Sequence, residues 1–163
     1  MRIELIQPFI NAADAVIGET LQCTAQAVDV SMDEEVYRKT GLAARVSITG
    51  DIEGRVIFDV TRDTAAKVAV CLSGADTTPD DDLVRETVCE LANLVIGNAV
   101  TSLNDQGFRF KVHPPEFHAS EAGLKGSEDT EALVMRFDTP AGSVFMNIAM
   151  QYHHRRRQDG QFD

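Results

Sequence analysis

The chain has 163 residues, 44% of them apolar, and a formal net charge of −11 at pH 7. That length supports one hydrophobic core and a single domain, and so acidic a surface excludes nucleic acid as a partner. No apolar run approaches the roughly 18 residues of a membrane span.

Residues 1–20 carry Glu4, Gln7, Asn11 and Asp14 where a signal peptide needs an unbroken apolar stretch, so a cytoplasmic protein is expected. Cys23, Cys71 and Cys89 are odd in number, sit in apolar surroundings and lack CxxC spacing. They read as reduced core thiols.

In chain order, the spacing of Phe9, Ala12, Ala13 and Val16 predicts a first helix from Pro8 to about Gly18, with the proline in its first turn. Residues 21–30 turn β-like, and 31–42 read as a polar loop. A hairpin follows, with alternating residues 45–49, a turn over Gly50–Gly54, and a return strand over Val56–Val60. Thr61 to Leu72 reads as a short helix ended by Gly74.

The next helix is the longest. Thr78 is the expected N-cap, Pro79 suits the first helical position, and Asp80, Asp81 and Asp82 place negative charge at the positive end of the dipole. Its apolar period continues to Leu103, and residues 104–107 (Asn-Asp-Gln-Gly) supply the stop. About 27 residues would give a rod of roughly 40 Å.

Beyond it lie an alternating strand at Phe108–Val112, a polar loop over 119–130, and a second hairpin of Leu133–Phe137 and Val144–Ile148 joined by Thr139–Gly142. Helix, extended segment, polar loop and hairpin thus occur twice, in the same order. The expected fold is of the α+β type of α/β architecture, two pseudo-symmetric halves sharing a mostly antiparallel, six-stranded sheet with two long helices and a shorter one. One domain over 1–152 is expected, followed by a basic tail over 153–163. That tail (His-His-Arg-Arg-Arg from His153) reads as a solubilising end, with docking to an acidic partner or a phosphate as the alternative.

The long helix has two unlike sides. Val84, Val88, Leu91, Val95 and Ala99 take core spacing. Glu86, Glu90, Asn93 and Gly97 fall within about one sixth of the circumference on the other side. Folding does not require an acid, an amide and a glycine there, so function is sought on that face. The counterpart side of the first helix carries Glu4, Gln7, Asn11 and Asp14, with no Glu three residues before an Asn. One site is expected, not two. His113, His118, His153 and His154 share no ligand spacing with carboxylates, so no metal site is expected, and no phosphate loop or nucleophile elbow is present.

Glu86, Glu90 and Asn93, with Pro114 or Pro115 downstream, Pro8-Phe9-Ile10 opening the first helix and two glycine-turn hairpins, resemble the CheC/CheX/FliY family of response-regulator phosphatases. The single-site CheX branch is the nearest match. Glu86 stands where the family more often has Asp or Ser, Gln7 where Asn is common, and the proline comes slightly early, Pro115 following Asn93 after 21 residues.

The resemblance implies a phosphatase acting on the phosphoaspartyl group of a CheY-type receiver in chemotaxis or related two-component signalling. Asn93 would position the attacking water, and Glu90 would pair with the receiver's lysine. Glu86, Gly97, Pro114 and Pro115 are expected to face the partner, with Gly97 keeping the helix surface low. The enzyme needs no cofactor of its own, since Mg²⁺ is held by the receiver. A homodimer is a further implication, for which Val144, Met146 and Ile148 on an edge strand are expected to serve. The alternative reading is a non-catalytic receiver-binding or flagellar-switch module on the same helix.

Overall fold

Alternating apolar residues dictate most of this architecture, because each such strand has one face to bury. The computed structural model describes residues 3–21, 27–33, 41–74, 79–118 and 132–153. Within them run α1 (Ile3–Leu21), β1 (Ala27–Asp33), β2 (Leu42–Gly50), β3 (Ile52–Val60), α2 (Arg62–Ser73), α3 (Asp81–Asp105), β4 (Phe110–Val112), β5 (Glu116–His118), β6 (Ala132–Thr139) and β7 (Gly142–Tyr152).

The sheet is antiparallel throughout. Six strands cross it in the order β1-β6-β7-β3-β2-β4, and the short β5 shares with β4 the outer edge of β2. Its centre is the β3–β7 pair, in register from Ile52↔Tyr152 to Val60↔Val144. The two halves anticipated from the repeat exchange strands. β1 pairs with the second half's β6, while β4 and β5 pair with the first half's β2.

All three helices serve one core. Leu5, Phe9 and Ile17 of α1 and Val84, Leu91 and Val95 of α3 are buried in one cluster with Val56, Phe58, Phe137 and Met146 of the sheet. Each fully buried side chain of this kind is worth about 1.5–3 kcal/mol relative to exposure. The opposite face of β3 and β7 carries polar groups, and there Arg55 Nη1 donates to Asn147 Oδ1 across 2.5 Å.

Several expectations need correction. α1 starts at Ile3, so Pro8 lies inside the helix, beyond its first turn. The apolar stripe extends backward through Leu5 and Ile6, both buried, and their burial outweighs the single backbone hydrogen bond that proline forfeits. The helix also continues to Leu21, and the first strand begins only at Ala27 and reaches Asp33. The turn expected over Gly50–Gly54 is tighter, for only Asp51 separates β2 from β3. Asp51 is clamped to Arg109, donating its N–H to that carbonyl at 2.8 Å and accepting from that N–H through Oδ2 at 2.9 Å.

β7 is an interior strand and not an edge. Val144, Met146 and Ile148 are fully buried and unavailable to a second copy. Both described cysteines are free thiols; Cys71, near the end of α2, is exposed and not the core residue expected, while Cys89 is half-buried and packs against the core. Cys23, the polar loop over 119–130 and the tail beyond His153 lie outside the described residues.

Candidate functional site

The long helix is fixed by its termini. Its N-cap is Asp80, whose Oδ1 accepts from Leu83 N at 2.8 Å, with Asp81 and Asp82 in the first turn. The expected cap, Thr78, lies outside the described residues, and Pro79 precedes the cap instead of opening the helix. A carboxylate at the N-cap captures a free N–H and meets the positive dipole end at once, which favours Asp80. At the other end Gly107 takes φ +93°, and Phe108 N donates back to Leu103 O at 3.3 Å. This delays the following strand to Phe110.

Val84, Val88, Leu91, Val95, Ala99 and Leu103 are buried, as their spacing predicts. Glu86, Glu90, Asn93 and Gly97 are all exposed on the other side. None of Glu86, Glu90 and Asn93 has a hydrogen-bond or ion-pair partner among the described residues. The carboxylate and the carboxamide therefore keep their bonding capacity free of the described residues.

Gly97 gives a second sign. A Cβ built there meets nothing within 4 Å, so no packing inside this chain requires a glycine. Glycine in a helix interior costs about 1 kcal/mol against alanine. The helix thus carries its least favourable non-proline residue at a position where the described residues leave room for a side chain.

Pro114 and Pro115 lie on the edge of the sheet beside this helix, Pro114 exposed and Pro115 half-buried. β4 and β5 run along β2 through Ile48↔Val112 and Ala44↔Phe117, and His113 N still donates to Ser47 O at 2.9 Å. The prolines have no N–H to give, so the ladder breaks at them. α3 packs against β5, and the Arg85 guanidinium sits 5.6 Å from the centre of the Phe117 ring. Sequence reasoning missed β5, Arg85 and Phe117. The available signal was Phe117 between Glu116 and His118, one apolar residue in a polar run too short to read as a strand.

This is a convex, polar surface on a stiff rod, unlike the concave apolar pockets that hold small molecules. The apolar cavity of about 340 Å³ between Lys67, Val70, Cys71, Pro140 and Ala141 shares none of these residues. Among the described residues no group of three or more His, Cys, Asp and Glu side chains is placed to hold a metal ion. No helix among them is long and apolar enough to cross a membrane.

Fold and site together define an α+β protein with an exposed acid–amide pair on one face of its longest helix. The family model described as chemotaxis phosphatase CheX matches residues 42–138, and the chain belongs to that family. It is 31% identical over 116 residues to the CheY-P phosphatase CheX of Thermotoga maritima, covering 71% of this chain and 75% of that one. The CheX–CheY–BeF3–Mg²⁺ complex of Borrelia burgdorferi aligns with TM-score 0.70 and 30% identity, covering 92% of this chain and 99% of that one. A CheC-like superfamily protein from Shewanella sp. PV-4 has TM-score 0.81 at 18% identity, over 93% and 99% of the two chains, a likeness of fold alone.

Proposed function

We propose that this chain hydrolyses the aspartyl phosphate of a CheY-type response regulator in the cytoplasm, with Asn93 and Glu90 as the working pair. The observation that carries the reading is that both side chains are exposed on one face of α3 and unengaged among the described residues. A relative that is 31% identical is a CheY-P phosphatase, and a 30% identical one is found in complex with CheY, BeF3 and Mg²⁺.

An aspartyl phosphate is an acyl phosphate, and its hydrolysis requires a water in line with the bond to be broken. The water oxygen bonds to phosphorus, the P–O bond to the aspartate breaks, and carboxylate and inorganic phosphate leave. Phosphoryl transfer of this kind depends mainly on positioning and charge stabilisation. Asn93 Oδ1 accepts a hydrogen bond from the water and so aims its lone pair, without adding negative charge beside the phosphoryl group. Mg²⁺ on the receiver neutralises the charge that develops, so this chain supplies no metal. Glu90 pairs with the receiver's lysine and sets the docking register, an interaction that strengthens when the interface excludes water. Glu86 and Gly97 extend the contact along the helix, and Pro114 and Pro115 flank it.

The test is phosphate release from a phosphorylated receiver, with and without the chain. Acceleration that disappears in Asn93→Ala supports the assignment. Binding without acceleration would instead make the chain a receiver-binding module. Pairing of two copies falls to the outer strands, β1 on one side or β4 and β5 on the other. Sedimentation at several concentrations measures it.

A further inference from the structure

The edge beside the site is weakly tied to the sheet. β5 is three residues long, held to β2 by Ala43↔His118, Ala44↔Phe117 and Arg45↔Glu116, and the two residues before it are prolines that cannot donate to the ladder. Phe117, half-buried, packs against the core from this strand. Arg85 of α3 lies over its ring, 5.6 Å from the centre, and makes no ion pair among the described residues.

At about 100° per residue, Arg85 and Cys89 point toward the β5 side of the helix. Asn93 comes next around the circumference and Glu90 lies beyond it. The prolines therefore border the face on the Asn93 side.

We propose that Arg85 is a positioning residue for docking. By stacking on Phe117 it holds the Pro114–Pro115 ledge at a set distance from α3, so that a phosphorylated receiver meets helix face and ledge already in place. The inference rests on the reading of Glu90 and Asn93 as the site. Arg85 touches no reacting atom. Asn93 is fixed by the helix itself, so loosening the ledge weakens capture of the receiver and leaves the chemical step alone.

The experiment measures affinity of the full chain for the cognate CheY-type receiver loaded with beryllofluoride and Mg²⁺, alongside KM and kcat on the phosphorylated receiver. Arg85→Ala is expected to raise both the dissociation constant and KM about threefold to fivefold, the scale of an exposed cation–π contact, with kcat within about twofold. Phe117→Leu should do the same, the double variant should be no worse than either single one, and Arg85→Lys should restore most of the loss. Thermal unfolding of each variant accompanies the binding data. If Phe117→Leu fails to fold, Phe117→Met, closer in volume to the ring, takes its place in the double variant, so that stacking on residue 117 and direct contact with the receiver are still told apart.

Unchanged affinity in Arg85→Ala overturns the proposal. So does an equal loss on adding Arg85→Ala to Phe117→Leu, which would mean that Arg85 touches the receiver directly. Failure of the phosphatase reading looks different, because Asn93→Ala and wild type would then bind normally and release phosphate equally slowly. A chain that binds no beryllofluoride-loaded receiver overturns both.

Discussion

α1 and α3 pack against each other on the same side of the sheet, yet only α3 carries the proposed site. Their sequences align at one spacing, with Glu4, Pro8, Asn11 and Ala15 standing where α3 has Glu86, Glu90, Asn93 and Gly97. The surfaces they present differ at every position. Pro8 is buried where Glu90 is exposed. Asn11 Oδ1 accepts from Gln7 Nε2 at 2.9 Å, and Glu4 accepts from the Tyr152 hydroxyl at 2.9 Å. Ala15, exposed like Gly97, carries a methyl where the glycine leaves the backbone bare. An asparagine on the polar side of a helix is therefore not enough. The proposed site adds an amide unengaged among the described residues, a carboxylate exposed one turn before it, and an open backbone beyond.

That contrast can be broken in several ways, the strongest at Asn93. Asn93→Ala should reduce the stimulated rate of phosphate release about 100-fold, the loss of one well-placed catalytic hydrogen bond, while the exposed site keeps stability within about 0.5 kcal/mol of wild type. Asn11→Ala on α1 is the matched control and should release phosphate at the wild-type rate. If the two variants behaved alike, the distinction between the helices would fail.

Glu90→Ala should weaken receiver binding by about fivefold at low ionic strength and progressively less toward about 0.5 M salt, since an ion pair at the rim of an interface is screened. A salt-independent loss would assign Glu90 a different role. Gly97→Ala gives α3 the residue that α1 already has at the matching position, and it separates folding from docking. With open space above it the new methyl should stabilise the helix by about 0.5–1 kcal/mol in thermal or denaturant unfolding, while receiver affinity falls. Stability and affinity rising together would remove Gly97 from the interface.

The smallest effect concerns the thiols. Burial pushes the Cys89 thiol above its ordinary range, and the Arg85 cation only partly opposes this. A raised pKa means less thiolate at pH 8, so Cys89 should alkylate more slowly than exposed Cys71 when followed by mass spectrometry.

Where sequence and structure agree, one signal sufficed locally. α2 runs from N-cap Thr61 to a left-handed Gly74, both legible from residue type alone. The buried and exposed sides of α3 follow from helical period, which is why Glu90 and Asn93 were readable as surface groups. The disagreements share a different cause, since tertiary contacts decided them. Pro8 stays helical because Leu5 and Ile6 have a core to enter, and β7 became central because β3 pairs along its whole length. β5 and the Arg85–Phe117 contact depend on two segments meeting across more than thirty residues of chain, which no local pattern encodes.

The exchange of first strands between the halves has a consequence for how such a molecule can change over time. The first half lends β1 to the hairpin of the second, and its β2 carries the proline ledge beside α3. Deleting it would strip the second half of its scaffold, so the exposed helix face of the first repeat is free to vary while the residues that shape its strands are held in place.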